Sequence, residues 1–523
     1  MMVTLRAVVL HEPLPWSWCD PQWANNDCFD RSSSNESSAM VNSTGEKSWI
    51  MLSSMASNVS WLFVNESAIS TDSVHWVNTS RQQPSPEQYF ENQVLQIRLN
   101  GTEYTIDHLG GIVWPLAVCV LACWTMVCLG LIKGVESAGK VVYVTATLPY
   151  VILFALMIRG ATLDGAKGGM IFLFTPQWSK LIDITTWRNA ASQCFYGISV
   201  TNGSLITFGS YNPFRHKVAK DALAVCILDT VASLMACVGI FAVLGHLSLQ
   251  LGVPIESVSK GGQGLAFAVY PEALQLLPAP HLWAVLFFLM LFSLGIDSLF
   301  GSVEPILTSL FDQFPRQRQH KAKWTIGFCA AFFLLTLPCV THGGLYVIDL
   351  LDTYGGGISL LIIATSESLA VFWMYGVDRL AQDFLFMMAY KSSVILKICW
   401  KYITPILIAC ILLASLLTHQ PISASGKPYP AWADGLGWTL VFAIVLPIPT
   451  WAICTVVHRL LLRHHKEPIK PIVDGLMGPG AKWGPADDVV WQEREQFRLV
   501  DACDRQLKKS TETSKCDDGV GKF

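Results

Sequence analysis

Apolar residues in this chain do not recur at the helical or strand period of a half-buried element. They gather into runs of roughly 20 or more, the length that crosses a hydrocarbon core of about 30 Å. These runs predict spans at 112–133, 140–160, 190–210, 219–250, 281–311, 324–342, 346–376, 393–418 and 436–462. The expected architecture is an all-α polytopic membrane protein with about nine transmembrane helices. Charges between the runs test that register. One set of loops holds Lys133 and Lys140; Arg215, Lys217 and Lys220; Arg316, Arg318, Lys321 and Lys323; and Arg379, Lys391, Lys397 and Lys401. The alternate set holds Lys167, Lys180 and Arg188, then Lys260, then none, then Lys427. Positive charge collects on the cytoplasmic side, so the first set is inside. The front of the chain is then outside and the segment after Arg463 inside.

A second signal agrees. The front carries Cys19 and Cys28 and six Asn-x-Ser/Thr sequons, at Asn35, Asn42, Asn58, Asn65, Asn78 and Asn100. Such sequons are used only on lumenal or extracellular surface. Residues 1–18 hold one Arg and a short apolar patch at 7–10, too little for a signal-peptide core or a span. The expectation is a front loop that lacks the span needed to export it. The predicted organisation is an outer glycosylated loop at 1–110, partly disordered between glycans, a membrane domain at 111–463 and a cytoplasmic tail at 464–523. The tail opens on His464, His465, Lys466 and Lys470, a topology-setting basic start.

Composition supports this class. Of 523 residues, 52% are apolar and 14% charged, which excludes an ordinary soluble chain. The net charge of −3 gives no nucleic-acid signal. The 15 cysteines are spaced neither as a disulfide framework nor as a zinc site. Those inside apolar runs read as small packing residues.

Ionisable groups inside spans are costly and therefore informative. Ser293-Leu294-Gly295-Ile296-Asp297-Ser298 lies midway along 281–311, with Glu304 two turns on. A carboxylate, a hydroxyl and carbonyls near Gly295 offer hard oxygen ligands for an alkali cation; an Asp paired to a neighbouring helix for packing fits equally well. The segment 190–210 contains Gln193, Tyr196, Gly197, Ser199, Thr201, Asn202 and Gly203, and is too polar to face lipid. Broken membrane helices have this composition, and their freed backbone groups line cavities that bind substrate or ions. Small residues for close packing explain the glycines but not the amides. Asp229 and Ser233 share a helix face. Asp349 and Asp352 precede Gly355, Gly356 and Gly357, which weaken a helix and suggest a bend or close approach. A charged gate and ordinary interfacial acids are equally compatible with them.

Several stretches together resemble the neurotransmitter:sodium symporter family. They are Pro13-Leu14-Pro15-Trp16-Ser17-Trp18-Cys19 with Cys28, Gly209-Ser210-Tyr211-Asn212, Leu294-Gly295-Ile296-Asp297-Ser298, Val303-Glu304, Phe311-Asp312-Gln313-Phe314-Pro315 and Trp373-Met374-Tyr375-Gly376. The likeness runs from about residue 13 to 463, and residues 223–233 are most similar to invertebrate nutrient amino-acid transporters. The resemblance implies a LeuT-type symporter fold lacking its first three helices, the nine spans matching family helices four to twelve. It implies a Cys19–Cys28 disulfide, and sodium ligation by Leu294, Asp297, Ser298 and Asp229. Gln193 and Ser233 fall on chloride-site positions. Tyr196, Gly197, Ser199, Ser298 and Ser302 fall on the substrate pocket, Tyr196 as its aromatic lid. Asp352 matches the outer-gate acid and Asp312 the inner-gate acid, whose Arg partners lie in or before helix one.

Two departures stand inside that site. Gly197 replaces a Ser hydroxyl, and Asp229 stands where monoamine and GABA carriers have Asn. A fixed carboxylate favours cations and lessens the need for chloride, so Cl⁻ involvement stays open. The implied function is sodium-coupled symport of neutral amino acids across the plasma membrane by alternating access, with Na⁺ co-transported. The implied partners are the amino acid, the lipid bilayer and a possible second copy, with no nucleic acid. The alternative is a transport-inactive truncated form or incomplete gene product that associates with full-length symporters. A membrane enzyme built on Asp297, Cys339 and His342 comes third, since no nucleophile–base spacing recurs.

Overall fold

The computed structural model describes residues 12–25, 83–99, 101–132, 135–252, 254–258, 264–419, 422–424, 427–461, 483–485 and 487–500, with short pieces at 4, 6–8, 28–29, 47–52 and 60–65. Five sequons, at Asn35, Asn42, Asn58, Asn78 and Asn100, lie outside the described residues, as does most of the stretch read as disordered between glycans. Asn65 ends a strand, Ser60–Asn65, that pairs antiparallel with Lys47–Leu52, Leu52 opposite Ser60.

In chain order the helices are α1 (Trp114–Leu131), α2 (Val135–Ala161), α3 (Ile184–Gly197), α4 (Ser204–Ser210), α5 (Val218–Leu251), α6 (Pro280–Gln313) and α7 (Lys321–Thr336). They continue with α8 (Gly344–Met388), α9 (Val394–Leu417) and α10 (Ala431–His458). Among the described residues eight helical runs are long and apolar enough to cross a membrane, each on a predicted span. The ninth predicted segment, 190–210, read from its sequence as a broken helix, consists of two half-helices, α3 and α4, with residues 198–203 between them. Proline sets several boundaries. Pro280 opens α6 at its first turn, where its missing N–H costs nothing, and Pro315 follows the end of the helix. α8 runs past the predicted end at 376 to Met388, through π-helical turns at Leu351–Ile358 and Ala370–Gly376.

The chain divides into two compact units, 1–178 with 228–349, and 179–227 with 350–523. In the first, α2 packs along α6, and α1 lies against α6 and α7. Val127 and Leu131 of α1, Ile296, Phe300, Val303, Leu307 and Phe311 of α6, and Cys329 of α7 form one buried cluster. In lipid such contact is held by close fit. A Cβ on Gly130 would stand 2.6 Å from the Phe300 ring, so glycine there lets the helices meet. The front segment is pinned to this unit by Trp16, buried beside Tyr270, Leu274 and Phe287. Its indole donates to the Pro271 carbonyl (3.3 Å), and its own carbonyl accepts from Ser85 Oγ (2.8 Å). Burial pushes the Tyr270 phenol up to about 12. The implied Cys19–Cys28 disulfide is present, with Cα atoms 6.0 Å apart.

In the second unit α9 packs on α8, α3 lies against α9, and α10 lies against the π-helical turn of α8. Tyr354 is fully buried there and donates to the Asp434 carboxylate. A Cβ on Gly437 would sit 2.2 Å from its ring, so this glycine makes room for the tyrosine. The tail is helical from 488 to 500 and docks in the same unit. Arg494, 4% exposed, donates to the Trp483 carbonyl (2.6 Å) and to Asp383 (3.2 Å).

Candidate ion and substrate sites

The residues expected to bind sodium on α6 occupy a continuous helix with two unlike faces. Ile296, Phe300, Val303 and Leu307 are buried, whereas Leu294, Ser298 and Ser302, spaced by one turn, are exposed. The two hydroxyls bond back along the helix, Ser298 Oγ to the Leu294 carbonyl (3.0 Å) and Ser302 Oγ to that of Ser298 (2.9 Å). These bonds satisfy the serines while keeping their oxygens on the open face. Asp297 is half-buried, and its carboxylate accepts a hydrogen bond from Thr145 of α2. This contact is the helix pairing that the sequence offered as one of two readings of Asp297. One oxygen is held by Thr145, and a carboxylate has further lone pairs to offer.

Asp229 and Ser233 lie one turn apart on α5, as their spacing requires. Ser233 and Leu294 line the same mostly apolar cavity of about 380 Å³, with Pro149, Tyr270, Phe287 and Met290.

In the second unit the broken helix explains its own sequence. Asp183 caps α3, accepting from the Thr185 N–H at 2.9 Å, and that bond with the Thr185 hydroxyl holds its carboxyl below the usual range. α3 ends at Gly197. Ser199, Thr201 and Gly203 then adopt left-handed backbone, at φ 54°, 66° and 75°. Only the glycine does so without strain, so Ser199 and Thr201 each store on the order of 1 kcal/mol. Interrupted ladders of this kind free carbonyls for a cavity. Gln193 and Tyr196 of α3 and Asp352, Gly356 and Gly357 of α8 line one polar cavity of about 930 Å³. The expected lid aromatic, the amide at an expected chloride-site position and the expected outer-gate acid therefore line the same cavity. The predicted weakness at the three glycines is the π-helical turn of α8, a distortion frequent at functional sites.

The same cavity contains Arg188, Thr418 and His419, which the sequence reading passed over as site residues. In the sequence Arg188 stands out only as a loop charge that sets topology. Its place one turn after a capping Asp, ahead of the polar 190–204 stretch, was the available signal. Arg188 donates to Thr418 Oγ1 (2.6 Å) and to the Thr418 carbonyl (3.4 Å).

The two gate acids differ. Asp312, at the end of α6, is ion-paired at 2.7 Å to Arg318 of the turn that follows. Asp352 makes no hydrogen bond or ion pair among the described residues. Glu304, buried in α6, lies 3.4 Å from Lys321 Nζ. No group of three or more His, Cys, Asp and Glu suited to a metal ion occurs among the described residues.

A family model described as the Sodium:neurotransmitter symporter family matches residues 4–459. The chain is 36% identical to Xenopus laevis sodium- and chloride-dependent glycine transporter 2 over 91% of its length, and spans 61% of that protein. It is 35% identical to sodium-dependent nutrient amino acid transporter 1 of Drosophila ananassae, covering 96% of the chain and 76% of the relative. It is 37% identical to the Mus musculus sodium- and chloride-dependent neutral and basic amino acid transporter B(0+), covering 90% and 71%. A solved structure, MhsT in complex with L-phenylalanine, aligns with a TM-score of 0.49 at 27% identity, over 59% of this chain and 69% of that one.

Proposed function

The chain belongs to the sodium:neurotransmitter symporter family, and on that premise we propose that it is a sodium-driven carrier of neutral amino acids in the plasma membrane, working by alternating access. A symporter family is one of carriers, which removes the enzyme alternative. The observation that carries the proposal is the carboxylate–hydroxyl face of α6, where Asp297 stands beside Leu294 and Ser298. Hard oxygen donors at helix mid-depth suit an alkali cation and would be expensive there without one. The relatives' names support the rest, being sodium-dependent and directed to amino acids. Neutral substrates are favoured because the expected pocket positions, Tyr196, Gly197, Ser199, Ser298 and Ser302, include no charged side chain. Asp229, at a position expected to bind sodium, carries a fixed negative charge that favours cations and leaves the need for chloride open.

In this mechanism sodium on Asp297 and Ser298 raises affinity for the amino acid, and Tyr196 on α3 serves as the aromatic of the substrate pocket. The break at residues 198–203 lets the two half-helices move separately. Cells expressing the chain should accumulate radiolabelled neutral amino acids in sodium medium and lose that accumulation in choline. Equal accumulation in both media would sink the proposal.

A further inference from the structure

Two full charges of opposite sign line the 930 Å³ cavity, Arg188 on α3 and Asp352 on α8, and they are its only Arg or Lys and its only carboxylate among the lining residues. Arg188 is not bonded to that carboxylate. Its guanidinium holds Thr418, the residue that caps the C-terminus of α9, and forks onto Asn189 Oδ1 at 3.0 and 3.2 Å. The Thr418 carbonyl lies at the negative end of the helix, where a cation is favoured. Every acceptor Arg188 now uses is neutral, and Asp352 has no hydrogen bond or ion pair among the described residues.

Hydration decides which acceptor wins. In an open, water-filled cavity a charge pair is strongly screened, and neutral acceptors at a helix end suffice. As the cavity closes and dries, the Coulomb attraction between guanidinium and carboxylate grows with the falling dielectric, whereas the bonds to neutral oxygens gain less. The strained turn after α3 gives that half-helix the freedom to move. We propose that Arg188 is a gate cation of this cavity, held on Thr418 in the conformation seen here and transferring to Asp352 on closure, so that it ties α3 to α8. It is a positioning residue, and a different arginine from the helix-one partner that the family resemblance implies for Asp352. The inference deepens the transport reading and rests on it only for what triggers closure.

The test measures how fast a membrane-impermeant maleimide alkylates Ser192→Cys, a cavity-lining position, in the full chain reconstituted in lipid nanodiscs, with site-resolved mass spectrometry. Arg188→Gln and Asp352→Asn should each speed alkylation by about fivefold, the worth of a partly exposed ion pair. Combined, they should be no faster than either alone. Arg188→Lys should keep part of the protection, and the exchange Arg188→Asp with Asp352→Arg should restore it. Thr418→Val, which removes the competing hydroxyl, should act in the opposite direction and slow alkylation, so the inference stays testable even where a charge variant misfolds. Additive effects of the single substitutions, or a Thr418→Val rate equal to or above the parent's, would overturn it. Rates that follow this pattern yet ignore the exchange of sodium for choline would sink the sodium reading and leave the gate standing.

Discussion

Asp312 and Asp352 are two carboxylates to which the family resemblance gives matching gate roles, and the structure gives them opposite surroundings. Asp312, at the end of α6, has its cation six residues away in Arg318, with both side chains 63% exposed. Asp352 projects into a polar cavity that also holds Arg188, and it has no partner of its own among the described residues. An acid beside a basic loop finds a counter-ion locally, at little gain and little cost, because water screens the pair. An acid on a cavity wall stays free for a partner that arrives with a change of conformation. Glu304 is the limiting case: 2% exposed, it lies 3.4 Å from the Lys321 ammonium, and burying either member of such a pair alone is costly.

The contrast can be broken hardest at that buried pair. Lys321→Ala should cost about 3 kcal/mol of stability, because it leaves a buried carboxylate without its ammonium. Thermal unfolding of the purified chain checks this, and an unchanged midpoint would remove burial as the distinguishing factor. Next in size is Asp229→Asn, which should raise the chloride dependence of uptake several-fold by removing the fixed charge. Uptake indifferent to both chloride and the substitution would count against the role given to Asp229. Smaller still, Asp312→Asn should change stability by less than about 1 kcal/mol, and less again in high salt. A larger loss, read from the same unfolding curves, would mean that the Arg318 pair is not screened as its exposure requires.

The smallest effect concerns Asp183. Its folded-state carboxyl is held low by the bonds from Thr185. Its support of α3 is therefore fully present above the ordinary aspartate range and disappears as pH falls through the lowered value. Hydrogen exchange at the first turn of α3 should quicken only in that acid window, and Asp183→Asn should abolish the pH dependence. Quickening already near pH 5 would assign it to another group.

The sequence made the continuous helices legible because lipid demands long apolar runs, and α1, α2 and α5 to α10 each fall on one. It also exposed the break in 190–210, since Gln193, Asn202 and Gly203 cannot face lipid. The left-handed residues were not readable there, because Ser199 and Thr201 adopt a backbone that their own propensities oppose. Arg188 was counted as a loop charge because its partner Thr418 is 230 residues distant. The Tyr354–Asp434 bond, and the need for Gly437 beneath it, depend on packing between helices that no periodicity encodes. The Arg318 partner of Asp312, six residues away, depends on how the chain turns after α6, which the sequence pattern does not encode.

Direct binding of radiolabelled sodium to the purified chain tests the central claim without requiring transport. Saturable sodium binding should be present in the parent, lost in Asp297→Asn, and retained in Asp352→Asn. Equal binding in the parent and in Asp297→Asn would contradict the assignment of sodium to α6.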